Sequence, residues 1–525
     1  GKYCEVMLNG NYEGIYLFQE KLKADNNRIN IKKIQPEDLS LPNLTGGYIT
    51  KTDKIEGADL VAWNMPNYGG WQSSFVHEYP KSTEIKTSQH QYIKGVFERL
   101  ENTSGNKNSS LEDGYPSVID VPSFIDFMIL NEFAANVDGY QFSTFFHKDR
   151  NGKLRAGPIW DFNLTYGNDL FFWGYDRSFT YGWQFDDGEN MGAKFWKDLF
   201  DDPIYRCYLN KRWQGLTDLG MPLNTLKVTD FINETVLHIS EAADRQEALW
   251  GTTGIFDQQV SELKSFIKDR NTWLSGQLKS TTSCASVTQP ALVITKINYH
   301  PSAEENEDSR DYEFIEITNV SDASADLTGL YLGELGLTYQ FPKGIFMGPH
   351  NTLYLANETN SFKERYGFTP FDEFTRSLSN QSEKVQLLDG YGNIIDEVLY
   401  SDEAPWPIEA DGAGAYLSLK NVNLDNNDGA NWEGQLILPA YENILGSINT
   451  LQPLVSVFPN PVQEVLHITA SGRIKVVNVW NIEGKCVGQY RFDVNKAVML
   501  LNSYQAGIYY LEIYTEQGRF LRKLI

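Results

Sequence analysis

The patterning of the chain changes twice along its length, which excludes one uniform architecture. Residues 1–278 mix strand-like alternation with helix-like spacing. From residue 290 no long helical period appears, and short apolar runs alternate with Gly, Pro, Asn and Asp. Charge shifts at the same places. Residues 290–435 hold 25 acids and 8 bases, a net of −17, whereas residues 453–525 hold 5 acids and 8 bases, a net of +3. Such breaks predict separate domains, and 525 residues leave room for about three. Joints of low hydrophobicity fall at 279–284 and 446–453. The expected domains are therefore 1–280, 288–436 and 453–525. The first residue is Gly1 rather than Met, so the chain reads as the remainder of a longer precursor.

Bulk composition excludes several function classes. A net charge of −24 repels phosphate, so no nucleic-acid partner is expected. No apolar run reaches about 18 residues, so no transmembrane segment is expected. Cys4, Cys207, Cys284 and Cys486 show no CxxC spacing, which argues against a zinc cluster or a redox motif. A Cys207–Cys284 bridge and free buried thiols fit the sequence equally well. GxGxxG, GxxxxGK[ST], HExxH and GxSxG are all absent.

Residues 13–21 alternate, with Ile15 and Leu17 on one face and Tyr16, Phe18 and Glu20 on the other, which predicts a strand. Ile93, Val96, Phe97 and Leu100 have helical spacing. Residues 122–135 are apolar nearly all round, so they predict a buried helix with Pro122 in its first turn. Val260, Leu263, Ile267 and Leu274 mark a closing amphipathic helix. In the middle region, strands are expected at 314–317, 353–355 and 384–388. Together they read as a β-sandwich. The tail predicts strands at 465–468, 475–479, 507–513 and 520–525.

One pair of residues attracts attention by position. Asn151-Gly152 between apolar runs predicts a β-hairpin. A regular hairpin centred at 149.5 sets Asp138 opposite Asp161, about 5 Å apart at Cα. Carboxylates that close repel unless a cation intervenes. Asp161 would then be a hard ligand for Mg²⁺, and Asp138 would accept a hydroxyl proton. The plainer alternative is two solvated aspartates at strand ends.

The residues around this pair carry a resemblance. Gly14-Ile-Tyr-Leu-Phe-Gln-Glu-Lys-Leu-Lys23, Gly47-Tyr-Ile-Thr-Lys51, Asp138-Gly-Tyr and Trp160-Asp161-Phe-Asn-Leu-Thr-Tyr-Gly167 resemble the spore-coat-protein-H (CotH) kinase family over most of residues 1–278. The resemblance implies an atypical kinase fold that uses ATP with Mg²⁺ or Mn²⁺ to phosphorylate Ser or Thr of extracytoplasmic protein substrates. It implies Asp138 as catalytic base, Asp161 as metal ligand with Asn163 beside it, Lys51 on the nucleotide phosphates and Glu20 as the partner of Lys51. Phosphoryl transfer needs those parts: metal, a cation on the phosphates and an aligned base. Asn163 stands where many family members carry a second aspartate. Ser143 stands where conventional kinases place a metal-binding Asn. Simpler roles also fit: Lys51 and Glu20 as salt-bridging strand residues, and Trp160 as core.

Residues 311–321, 326–332 and 425–432 resemble a lamin-tail domain, an immunoglobulin-like attachment module. Its acidity suggests a cationic partner or Ca²⁺, with Asp425 and Asp428 as ligands; an Asn/Asp-rich turn is the alternative. Phe458-Pro-Asn-Pro461, 478–484, 501–509 and the basic end 519–523 resemble the type A sorting domain of the type IX secretion system. That implies a Bacteroidetes-type bacterium, dealings with the type IX machinery, and a secreted or outer-membrane cell-surface location.

The expectation is a multidomain chain: an α+β kinase-like domain followed by two β-sandwiches. The leading function is an exported protein Ser/Thr kinase. The rivals are a degenerate kinase fold acting as adhesin or scaffold, a different group transferase on the same fold, and a glycan binder. The last is suggested by the aromatic loops holding Trp63, Tyr68, Trp71, Trp173, Tyr175, Tyr181 and Trp183.

Overall fold

Apolar residues on both faces of Tyr48–Thr52 require both faces to be covered, and they are. In the computed structural model of the chain, this segment is the middle strand of a five-stranded antiparallel sheet. The structure describes all residues except 56, 58, 170–177, 187–189, 191, 280–283, 285–286, 334–335, 437–454, 459–464, 482–484, 502–503, 505–506, 517 and 525. Trp173, Tyr175, Pro461 and the 446–453 joint, which the sequence singled out, lie outside the described residues, as does most of the 279–284 joint.

A hairpin of β1 (Lys2–Leu8) and β2 (Asn11–Phe18) comes first. The five-stranded sheet uses β3 (Tyr48–Thr52), β4 (Val61–Pro66), β5 (Gln72–Tyr79), β6 (Thr144–Lys148) and β7 (Leu154–Ala156), in the order β4-β5-β3-β6-β7. Because successive side chains alternate faces, Tyr48 and Phe146 enter the main core, while Ile49 and Phe145 pack with Ala24, Ile29 and Ile31 on the other side. The main core is closed by α1 (Thr87–Gly105) and α2 (Val121–Ala134). The helical spacing read from the sequence is the buried face of α1: Ile93, Val96, Phe97 and Leu100. Asp120 caps α2 by accepting from the Ser123 N–H, and Pro122 lies in its first turn.

Four more helices follow: α3 (Phe195–Phe200), α4 (Pro203–Thr217), α5 (Thr225–Trp250) and the expected closing helix, α6 (Ile255–Gln277). Helix α5 was not among the expected elements, although Val228, Ile232, Val236, Ile239 and Ala243 recur at helical spacing on its inner face. Val228 and Ile232 pack against the main core, whereas Leu226, Phe231 and Leu237 are exposed. Cys207 on α4 is bridged to Cys284, which resolves the open alternative in favour of the bridge.

The middle region is the expected double sheet. One sheet has six strands, in the order Asp372–Glu373, Thr352–Ala356, Phe314–Asn319, Leu292–Asn298, Tyr416–Leu419 and Trp432–Gln435. The other has four: Tyr339–Gln340, Tyr331–Gly333, Ser382–Leu388 and Ile394–Ser401. A short helix the sequence did not announce, α7 (Thr359–Tyr366), is capped by Glu358 and buries Phe362. The chain divides into two compact units. The first comprises Gly1–Thr318, Gly329–Phe341 and Leu353–Ala440. Within it Tyr331 donates to Asp120 at 2.9 Å, Arg376 lies 2.9 Å from Asp149, and Tyr391 stacks on Tyr208. The second comprises Asn319–Thr328, Pro342–Thr352 and Tyr441–Ile525. Strands Val455–Phe458, Val465–Asn481, Cys486–Leu500, Tyr509–Thr515 and Gly518–Leu524 there form one antiparallel sheet, with Leu466, Ile468, Val477, Leu511 and Ile513 in its core.

Two buried polar pairs sit in the first unit. Glu132 of α2 and Arg270 of α6 meet at 2.9 Å with side chains 2% and 0% exposed. Arg270 also donates to the carbonyls of Glu132 and Gly182. Removing one member leaves the other charge buried and uncompensated. Arg270→Met is therefore expected to cost about 3–5 kcal/mol, read from the urea midpoint. His77 on β5 and His90 on α1 stand 3.0 Å apart. Burial, with His90 beside it, pushes His77 from 6.5 down to about 4. The unfolded chain thus binds more protons between those values, so stability is complete above pH 6.5 and falls as pH drops towards 4. The loss from this group is about 3 kcal/mol. Urea titrations from pH 7 to 4 should show it, and His77→Gln should reduce it.

Candidate functional site

The site is built around the C-terminal end of α2. That helix ends at Ala135 in the left-handed conformation (φ 46°), and the chain turns at once into Asn136-Val-Asp138-Gly. Side-chain amides fix the turn. Asn131 of α2 accepts from Asn136, and Asn136 accepts from the Asp138 N–H. The Asp138 carbonyl accepts from the Phe142 N–H at 2.9 Å. Gly139 is required by space, since a Cβ there would stand 2.7 Å from the Asn131 amide oxygen. Tyr140 then plunges into the core, its hydroxyl 2.9 Å from Glu132.

The same helix end holds the second segment. Tyr166 N–H donates to the Ala134 carbonyl, and the Tyr166 ring packs edge-on against Phe133. This anchors the Trp160–Gly167 stretch near the start of the Asp138 turn. Within it, Asn163 donates its amide to Asp161 Oδ1 at 2.8 Å when the amide is oriented to satisfy both groups. The metal-ligand pair implied by the resemblance is therefore brought together, and both residues are exposed. Tyr140, Ser143, Asp161 and Tyr166 all have positive φ. Each such non-glycine residue costs about 1–3 kcal/mol, and such strain clusters where a site imposes it.

The hairpin does not set Asp138 opposite Asp161 as the sequence led one to expect. The hairpin forms, but its register pairs His147 with Arg155 and Lys148 with Leu154, centred at 151 rather than 149.5. The ladder ends at the Phe146–Ala156 pair, and the Gly157 N–H still donates to Phe145. Neither aspartate lies on a strand, so they are not cross-strand partners. The α2 terminus organises both segments instead.

Lys51 lies on β3, which pairs with β6 through Lys51–Phe145 and Thr52–Thr144. Thr52 donates to the Tyr140 carbonyl at 3.3 Å, and the Ser143 N–H donates to Asp53 at 3.3 Å. The lysine strand is thereby stitched to the loop that carries Asp138. Three carboxylates surround the Lys51 ammonium: Asp59 at 2.9 Å, Asp53 at 3.5 Å and Glu78 at 3.5 Å. Burial opposes its charge, but the Asp59 hydrogen bond and the fields of Glu78 and Asp53 prevail and raise its pKa.

Glu20 is a correction. Its strand ends at Phe18, and Glu20 pairs with Arg28 at 2.6 Å rather than with Lys51. The acids that reach Lys51 come from the loop that follows β3 and from the neighbouring strand β5. Asp53, two residues on, was readable from strand alternation. Glu78 needed the β3–β5 register, and Asp59 the path of the loop between β3 and β4.

Other candidates resolve simply. Trp160 is half-buried against the Ile49–Phe145 cluster. Trp63 and Trp183 pack among core aromatics, whereas Trp71 and Tyr181 are exposed. Asp425 accepts from the Asn427 N–H and Asp428 from the Ala430 N–H, the bonds of an Asn/Asp turn. Among the described residues no group of three or more His, Cys, Asp or Glu could hold a metal ion.

The chain is thus a multidomain protein: an α+β domain, a two-sheet sandwich and a terminal all-β module. Family models agree. The model described as CotH kinase protein matches residues 1–274, the Lamin Tail Domain matches 285–402, and the secretion system C-terminal sorting domain matches 456–525. The chain belongs to the CotH kinase protein family. Its sorting domain marks it for secretion by the type IX machinery and for outer-membrane surface attachment. Among the described residues no helix is long and apolar enough to cross a membrane. No curated protein matches the chain. Among solved structures it is similar to PorZ, a surface component of the type-IX secretion system of Porphyromonas gingivalis. That match has 11% identity over 42% of this chain and 36% of that one, with a TM-score of 0.11. A biofilm-associated protein BSP domain also matches, at 11% identity over 49% of this chain and 55% of that one, with a TM-score of 0.12. The chain thus spans about a third to a half of those structures, and TM-scores this low carry no argument.

The ring of acids yields a direct expectation. Asp59→Asn should lower the Lys51 pKa, seen as faster reductive methylation of Lys51 at a fixed pH near 9, mapped by peptide mass spectrometry.

Proposed function

We propose that this chain is an exported phosphotransferase that moves the γ-phosphoryl group of ATP to a Ser or Thr hydroxyl of an extracytoplasmic protein. The observation that carries the reading is the stitching of the Lys51 strand to the Asp138 loop, through Thr52–Tyr140 and Asp53–Ser143. In this reading Asp138 takes the proton of the attacking hydroxyl, a new bond forms from that oxygen to phosphorus, and ADP leaves. Lys51 neutralises phosphate charge, exchanging part of its carboxylate ring for phosphate oxygens.

Mg²⁺ fits the donors present. It is commonly held by one or two carboxylates, with substrate phosphates and water completing six positions. Asp161 is an exposed carboxylate with the Asn163 amide beside it, so these two residues would hold the ion. When bound, it would neutralise charge on the phosphates.

One observation favours a second reading, a degenerate kinase fold serving as adhesin or scaffold. Three carboxylates already occupy Lys51, which suits a structural lysine as well as a resting catalytic one. Thermal and urea unfolding with ATP and Mg²⁺ or Mn²⁺ separates the two. Nucleotide at about 100 times its Kd should add about 2.7 kcal/mol, and Asp161→Ala should remove that gain. Asp138→Ala should keep the gain yet lose phosphoryl transfer to protein by about 10²–10⁴-fold. Intact folding with no nucleotide response would favour the scaffold.

A further inference from the structure

A cavity lies in the first unit, and neither Asp138 nor Asp161 lines it. It has a volume of about 510 Å³, and its walls come from residues 26–31, the β6–β7 hairpin and the sandwich strands bearing Tyr331 and Tyr339. On the sheet it is reached from Lys51 by moving along β3 past Ile49, whose neighbour on β6 is His147.

The charges lining it do not balance. Arg155 pairs with Asp120 at 3.2 Å, Arg376 with Asp149 at 2.9 Å, and Arg28 with Glu20 at 2.6 Å. His147 is pushed down to about 4 by burial, so it is neutral at pH 7. Lys153 is left over. It is 5% exposed, and its buried Nζ has no hydrogen-bond partner. Its compensation is the Tyr331 ring, 3.9 Å below the ammonium. Asp120, whose field acts on Lys153, is already engaged by the Ser123 N–H, the Tyr331 hydroxyl and Arg155. A buried ammonium without an acceptor is costly. In keeping with this, burial drives Lys153 down to about 7 despite Asp120 and Asp389. Pro158, Leu332 and Gly333 add apolar or backbone wall, leaving room for a small organic body beside the charge.

We propose that this cavity binds a small ligand bearing one oxyanion, a carboxylate or a phosphate, with the Lys153 ammonium as its unpaired counter-ion and the sandwich face around Tyr331 closing the site. Supplying the missing acceptor would tie ligand binding to the packing of the sandwich on the kinase-like domain, because Lys153 comes from the β6–β7 hairpin and the Tyr331 ring it touches from the sandwich.

The full chain would be titrated with inorganic phosphate and, separately, with acetate, at constant ionic strength in chloride at pH 7, with thermal unfolding as readout. A saturable rise in Tm with either anion over chloride is expected, and the responding anion identifies the headgroup class. Lys153→Met should fold with a Tm no lower than wild type in chloride, because an uncompensated charge has gone, and should bind the responding anion at least about tenfold more weakly. Asp161→Ala should keep the response, which separates this cavity from the nucleotide site. Should Lys153→Met fail to fold, the wild-type chain decides the matter: the anion should shield Lys153 from amine acylation in peptide maps. No saturable response to either anion, an undiminished response in Lys153→Met, or acylation of Lys153 unaffected by the anion would each overturn the proposal.

Discussion

The buried carboxylate of Glu132 is the constraint on which the rest of the first unit depends. It receives the Arg270 guanidinium from α6, the Tyr140 hydroxyl from the Asp138 loop, and the N–H groups of Gln184 and Phe185. A carboxylate in the interior is tolerated only when fully hydrogen-bonded, so each of these elements is held where it is by the others. Burial still pushes Glu132 upward, against the pull of Arg270. The site loop is thus not free to choose its conformation. Tyr140 sits at φ 70° because its hydroxyl is held in the core.

Around that anchor the sheet and helix termini do different jobs. β3 presents Lys51 among acids, while α2 ends in a left-handed residue from which one loop departs and onto which another is bonded. Catalytic groups on loops are only as precise as the elements that hold them. Here the holding bonds run from side-chain amides and from the threonine at the end of β3.

The sandwich takes part in the first unit through polar, aromatic and apolar contacts, with Tyr391 joining the main core. Tyr331, Arg376 and Tyr391 each reach a named partner, Asp120, Asp149 and Tyr208. Such contacts are specific because an unmatched buried polar group is penalised. They also leave Lys153 as the one lining cation, among the described residues of that cavity, without an acceptor.

Much of this was legible from residues alone. Periodicity marked α1, α6 and the strand character of residues 290–435, because burying one face forces a repeat of 3.6 or 2, while α2 was marked by being apolar nearly all round. The Asp-Gly and Trp-Asp segments of the site were legible as motifs, and the motifs of the tail announced an exported protein. What sequence could not supply was pairing. The hairpin centre lies one and a half residues further on and its ladder stops at Phe146–Ala156, short of Asp138 and Asp161, and Glu20 found Arg28 instead of Lys51. Helix α5 carries the same kind of stripe, Val228, Ile232, Val236, Ile239 and Ala243, with Leu226, Phe231 and Leu237 exposed on its other side. Local patterns record which face of an element is buried. Which side chain meets which depends on register and on contacts between distant segments, and only the tertiary structure decides those.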